Sequence, residues 1–244
     1  MAEFPRDTVF YAIGDVHGMA DRLKDLHGQI MSYHAENHSG LPIAMIHLGD
    51  YVDRGPDSCG VIRMIMELER QARQRDDMIV HSLRGNHEEM LLQAYDGEPS
   101  AVDLWLSNGG HQTLNSYDLS RGEDIHAIPR SHLKWMKTLP SYVHDKSRKL
   151  FFAHAGVDPK TFPDCNPQHY LWTRSPRFFR AEEWADYPAM TGYTVIHGHT
   201  PTKNFEPEMS GVNQRINVDT GAVFGGPLTA VVYRPGSEPV FLKA

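Results

Sequence analysis

Five short stretches set oxygen or imidazole ligands beside glycine, in one order along the chain. They are Gly14-Asp15-Val16-His17-Gly18, Gly49-Asp50-Tyr51-Val52-Asp53-Arg54-Gly55, Gly85-Asn86-His87-Glu88, His154-Ala155-Gly156 and His197-Gly198-His199. Asp15 and His17 can leave one turn together and grip a cation. A carboxylate such as Asp50 can bridge two metals roughly 3.5–4 Å apart. Asn86 offers an amide oxygen, and His154 with one of His197 or His199 adds imidazole nitrogen to a second metal. A mixed oxygen and nitrogen set suits manganese, iron or zinc better than calcium. Two such cations would lower the pKa of a shared water and neutralise phosphoryl oxygens. The leaving oxygen then needs a proton. His87 is placed to give it, with Asp53 as the partner that holds its tautomer and charge. Arg54 and Arg174 offer planar forks for phosphate oxygens, and Arg84 is a further candidate with less to support it.

These groups are distant in sequence, so the fold must gather them. Residues 8–13 (TVFYAI), 43–48 and 78–83 are β-branched or apolar runs that stop at glycine, and read as strands. Residues 20–31, 58–75 and 88–95 carry apolar positions at helical spacing. Strand, loop and helix thus repeat three times, which implies parallel strands joined by right-handed crossovers. The intervals agree: 35 residues from Asp15 to Asp50 and 36 from Asp50 to Asn86, one βαβ unit each. The carboxyl ends of such strands share one edge, where ligands bind. Asp15, Asp50 and Asn86 should converge there.

Residues 97–140 are richer in Gly, Ser, Asn and Asp, with helical pieces at 101–106 and 131–138. They read as a helical insertion beside the sheet, or as a lid. Strand signals follow at 142–144, 150–154, 194–197, 215–218, 228–233 and 240–242, and suggest a second, mixed or antiparallel sheet. The expected architecture is α/β: two mixed sheets packed as a sandwich with flanking helices, in one domain spanning 1–244.

The formal net charge of −7 argues against nucleic acid as a partner, since backbone binding needs a basic footprint. A phosphorylated substrate is not excluded, because metals and arginines can reverse the sign inside a cleft. Two cysteines make no disulfide framework. Residues 1–7 have no apolar core of a leader, and no apolar run approaches a membrane span, so the cytoplasm is the expected address. Of the fifteen histidines, His47 and His81 read as sheet-face residues, and His27, His34 and His38 as helix-surface or loop residues. His111, His126, His132, His144 and His169 match no motif and read as structural. Residues 217–221 (NVDTG) read equally as a cleft rim or a tight turn.

The combined pattern GDVHG, GDYVDRG, GNHE, HAG and GHTP resembles the phosphoprotein phosphatase branch of the calcineurin-like metallophosphoesterases, particularly its short bacterial and phage serine/threonine phosphatases. The match runs from about residue 8 to residue 233. The resemblance implies a β-sandwich and two divalent metals, manganese foremost, with iron or zinc as alternatives. Carried over residue by residue, it puts Asp15, His17 and Asp50 on one metal and Asp50, Asn86, His154 and His199 on the other. His199 is preferred to His197 because Gly198-His199-Thr200-Pro201 matches the family's Gly-His pattern, with Pro201 where the broader superfamily has a second histidine. His87 with Asp53 becomes the acid pair, and Arg54 and Arg174 the phosphate ligands. The implied activity is phosphomonoester hydrolysis on serine or threonine of phosphorylated proteins, by in-line attack of a metal-bridging hydroxide. The alternative is symmetrical diadenosine tetraphosphate hydrolysis. Glu88, where such nucleotide hydrolases usually carry Asp, and the acidic Asp53 both favour the phosphatase. A silent metal-binding regulator ranks last, because every matched position is intact.

Overall fold

The computed structural model describes residues 4–98, 100–120, 122–212 and 214–244. β1 (Val9–Ile13) is buried along its whole length, and its alternate residues serve two cores. Val9, Tyr11 and Ile13 join a cluster with Leu23, Ile62 and Ile65 of the helices. Phe10 and Ala12 join one with Phe152, Ile196 and Ile216 of the opposite sheet. A strand apolar on both faces is covered on both sides.

α1 (Ala20–Asn37), β2 (Ile43–His47), α2 (Ser58–Ala72), β3 (Met78–Ser82) and α3 (Asn86–Tyr95) follow. β1 pairs with β2 and β2 with β3, both in parallel, as the motif spacing requires. α3 begins at Asn86, two residues before the expected start, because Glu88 caps it by accepting the Gly85 N–H.

Next come α4 (Ala101–Trp105), one π-turn (Leu106–Gly110), α5 (His111–Ser116) and α6 (Arg130–Thr138). Trp105, Leu114, Leu133 and Trp135 bury themselves in the helix-side core, so this segment is a packed wall rather than a detached lid. β4 (Tyr142–Asp145), β5 (Leu150–Ala153), α7 (Pro167–Trp172), α8 (Pro176–Phe179), β6 (Thr194–His197), β7 (Glu208–Ser210), β8 (Arg215–Asn217), β9 (Thr229–Tyr233) and β10 (Val240–Lys243) complete the order. The described residues form two five-stranded sheets, β10-β9-β1-β2-β3 and β4-β5-β6-β8-β7.

Two expectations change. The strands read at 228–233 and 240–242 were expected in the second sheet; they return to the first, with β9 antiparallel to β1 and β10 to β9. Ala230 and Val232 face the helices while Val231 and Tyr233 face the other sheet, the same two-faced pattern as β1, so periodicity could not assign the sheet. β7 was not expected, since its residues are exposed or half-buried and carry no apolar alternation. Two histidines also move inward. His27 Nε2 lies 2.9 Å from Nε2 of fully buried His47, and His34 is buried between the Tyr11 hydroxyl and the Leu41 carbonyl.

Candidate metal centre

The five motifs meet at the strand ends. Asp15 and His17 follow β1, Asp50 follows β2, Asn86 opens α3, His154 follows β5 and His199 follows β6. Five of the candidate residues adopt left-handed backbone: His17 (φ 43°), Asp50 (φ 53°), Asp53 (φ 70°), Arg54 (φ 69°) and His199 (φ 69°). Non-glycine residues hold such angles at a cost of about 1–3 kcal/mol each, and they persist only when the surroundings dictate them. Glu88 is part of that surrounding. Its buried carboxylate accepts the N–H groups of Gly85, Asp50, Tyr51 and Val52 at 2.8–3.2 Å. The neighbouring glycines have a plain role: a Cβ at Gly85 would collide with Asp50 Oδ1, and one at Gly198 with Asp15 Oδ1.

Two trios of buried ligand atoms lie within 4.8 Å of one another: His17, Asp50 and His87, and Asp50, His154 and His199. Asp50 is common to both. Asn86 Oδ1 sits 2.8 Å from His154 Nε2 and 2.8 Å from His199 Nδ1. The outer nitrogens explain the orientation. His154 Nδ1 lies 3.0 Å from the Leu48 carbonyl and His17 Nδ1 2.8 Å from the Val52 carbonyl. A proton on each Nδ1 leaves the Nε2 lone pair aimed inward, the tautomer a metal needs. His199 Nδ1 points into the second trio. His197 does not: its Nδ1 meets the Gly198 carbonyl and its Nε2 accepts from Arg215.

Burial sets the charge states. It lowers His154 to about 3, and drives His17 and His199 far below the ordinary imidazole value. Neutral imidazole is the ligand form. Burial, then Asp219 and Asp50, raises Asp15 well above the carboxylate range, and burial and Glu88 do the same to Asp50. Crowded, desolvated carboxylates of this kind favour protons or cations. Asp15 belongs to neither trio; its oxygens accept the His199 N–H at 3.0 and 3.1 Å. The donor set therefore fits two divalent cations.

His87 and Asp53 form a separate pair, His87 Nδ1 to Asp53 Oδ2 at 2.7 Å. Asp53 Oδ1 accepts from Trp105 Nε1 at 2.9 Å and Thr113 Oγ1 at 2.7 Å. Burial pushes Asp53 up to about 7 while these two donors pull it back. Burial and Arg54 push His87 down to about 3. The half-buried Arg54 has Nη1 2.8 Å from His17 Nε2. Arg174 is exposed, with its charge felt at His154, His199 and Asp219. Arg84 points elsewhere, donating to Glu89 and the Lys137 carbonyl.

The sequence profile of the Calcineurin-like phosphoesterase family matches residues 8–225. The chain belongs to the calcineurin-like phosphoesterases. Members of this family carry a dinuclear metal site, and the buried donors gathered around Asp50 are where this phosphoesterase would hold its own. It is 27% identical over 240 residues to the protein named bis(5'-nucleosyl)-tetraphosphatase PrpE [asymmetrical] of Oceanobacillus iheyensis, covering 89% of this chain and 86% of that one. A solved structure described as a putative diadenosine tetraphosphatase superposes with TM-score 0.64 at 22% identity, covering 99% and 96% of the two chains. A protein serine/threonine phosphatase of Saccharomyces cerevisiae superposes with TM-score 0.63 at 14% identity, covering 97% of this chain and 79% of the yeast one. Both structural likenesses speak to the fold.

Sequence reasoning missed four contributors to this phosphoesterase's site. Trp105 and Thr113 lie in the helical insertion, with no spacing to tie them to Asp53. Glu88 was read as a mark of substrate class, whereas its carboxylate faces backbone. Asp219, in the stretch read as rim or turn, serves both: it accepts the Gly221 N–H and its carboxyl meets that of Asp15.

Proposed function

We propose that this phosphoesterase hydrolyses dinucleoside tetraphosphates, asymmetrically, with two manganese ions. The observation that carries this reading is a pair of exposed aromatic rings at the two ends of the ligand set. At one end the Arg54 guanidinium lies 5.6 Å from the centroid of Phe224, which is 54% exposed, and reaches His17. At the other, Trp172, 40% exposed, stands 6.1 Å from the His199 ring, with Arg174 two residues on. A substrate with a base at each end and phosphates between presents that order of groups. The relative's name supports the same class.

Asp15, His17 and Asp50 would hold one cation, and Asp50, Asn86, His154 and His199 the other. When bound, the cations supply Lewis acidity and a water acidic enough to ionise near neutral pH. Arg54 and Arg174 bind phosphoryl oxygens by bidentate, charge-assisted hydrogen bonds. His87 would give a proton to the leaving oxygen from Nε2; that needs the imidazolium form, which Asp53 at Nδ1 favours against the opposing pull of burial and Arg54. Trp105 and Thr113 keep Asp53 oriented.

A second reading, serine/threonine protein phosphatase, is favoured by that same His87–Asp53 pair. An alkoxide leaving group needs a full proton, whereas a phosphate leaving group needs little. Manganese-loaded protein should be offered diadenosine tetraphosphate, a phosphoserine peptide and a small phosphomonoester at equal concentration. Highest kcat/KM on the dinucleotide with unequal nucleotide products supports the proposal. Preference for the peptide overturns it in favour of the phosphatase, and two equal nucleotides overturn the asymmetry.

A further inference from the structure

We propose that the open cleft between the Leu106–Gly110 π-turn and the turn Ala222–Phe224 is a nucleobase subsite, taking one base of an adenine nucleotide. It has a volume of about 520 Å³. The proposal deepens the dinucleotide reading above and rests on it for the identity of the whole substrate.

Three observations carry it. First, Phe224 offers a ring to stack on. The turn that holds it lies between left-handed Gly221 (φ 67°) and Gly225 (φ 97°), closed by Phe224 N and Gly226 N donating to the Gly221 carbonyl. The ring is therefore presented to solvent by a fixed backbone. Second, Arg54 joins the cleft to the metal centre, with one side toward Phe224 and Nη1 beside His17. A base on Phe224 would sit one side chain away from the phosphoryl position.

Third, the opposite wall is polar in a way that suits a base edge. Asn108 spends its Nδ2 on the Leu104 carbonyl, which leaves Oδ1 to accept an exocyclic amine. Gln112 is exposed and its amide has no hydrogen bond among the described residues, so it can both donate and accept. An adenine edge presents one amine donor beside one ring-nitrogen acceptor. The wall is fixed to the site: the Gly109 carbonyl accepts the Arg54 N–H at 3.1 Å. Gly109, at φ 108°, lies so close that a Cβ there would strike Arg54. A phosphoserine side chain would be served by Arg54 alone, with no use for the ring or the two amides.

The test is calorimetric, on manganese-loaded protein. The probes are α,β-methylene adenosine diphosphate, which resists hydrolysis between its phosphorus atoms, and methylenebisphosphonate, which lacks the base. Stacking on an aromatic ring contributes enough that the nucleotide should bind about tenfold or more tighter than the bisphosphonate. Phe224→Ala should erase that difference, and Phe224→Trp should retain it. Equal affinities in the wild type overturn the proposal. So does an equal loss for both probes in Phe224→Ala, which would mean the ring acts only through Arg54. Wild-type turnover reads the larger function separately. Peptide preference with intact base-dependent binding sinks the dinucleotide reading and leaves the subsite. Dinucleotide preference without base-dependent binding sinks the subsite alone.

Discussion

Trp105 donates its indole N–H to Asp53 Oδ1 at 2.9 Å, across 52 residues of sequence. A helix outside the strand–helix repeat thereby holds the carboxylate that holds His87. Trp105→Phe keeps the shape of the core and deletes that donor. Leaving a buried acceptor short costs about 1–3 kcal/mol, to be read as a lower denaturation midpoint. Turnover of an alkyl phosphate should fall more than turnover of p-nitrophenyl phosphate, whose leaving group needs little protonation. Equal losses on both would make Trp105 a fold residue only.

His87→Asn should reduce turnover of an alkyl phosphate by about 10²–10⁴-fold, the usual contribution of a positioned acid. Elemental analysis should find the metal retained, because Asp50, His154, His199 and Asn86 still converge. Full activity on a poor leaving group would remove His87 from the acid role. Asp50→Asn should do the opposite and lower metal content. Full occupancy of both positions would end its bridging assignment.

Glu88→Gln replaces one acceptor oxygen by an amide nitrogen, against four inward backbone N–H groups. Two of those donors lose their partner, a cost of about 2–6 kcal/mol at the usual value per group. The strained Asp50 turn should loosen, and thermal stability and metal affinity should fall together. The ratio of kcat/KM on dinucleotide to that on phosphopeptide should stay constant. A changed ratio at unchanged stability would return Glu88 to the role of a substrate determinant.

Acid stability should carry the mark of His27. Burial lowers its folded pKa to about 4 from 6.5. Above pH 6.5 both folded and unfolded states hold it neutral, and its contribution is complete. As pH falls toward 4 the unfolded chain takes the proton first, and stability is lost. The loss is about 2–3 kcal/mol, allowing for partial exposure. His27→Gln, still able to bond His47 Nε2, should lessen the fall of the denaturation midpoint between those pH values, with His47 and His81, also held below the ordinary imidazole value by burial, keeping part of it. An unchanged pH profile would place the acid sensitivity elsewhere.

What could be read from the chain followed from regularity. Asp15, Asp50 and Asn86 recur at near-equal intervals on a strand–helix repeat, and one repeat has one edge. Nothing periodic distinguishes β9 from β6, because each is apolar on both faces, and sheet membership is then decided by pairing with β1. His199 and His197 have the same chemistry and nearly the same position. Their hydrogen bonds separate them: His197 is held by Arg215 of the neighbouring strand β8 and by the Gly198 carbonyl, while His199 Nδ1 faces Asn86. Trp105 and Thr113 were hidden for a related reason: a hydrogen bond from a helix to a loop 52 or 60 residues earlier leaves no spacing to recognise.

His17 and Asp50 lie on loops of one sheet and His87 in the first turn of α3 after its strand β3, whereas His154 and His199 follow strands of the other. The two layers meet through contacts such as the Phe10–Phe152 stack at 5.8 Å. The site is therefore a gauge spanning a seam. Slippage of one layer over the other moves His154 and His199 against Asp50, the ligand both trios share. Cation affinity then reports the seating of the sandwich, and a substitution in its dry interior, far from any ligand, can detune the centre without touching it.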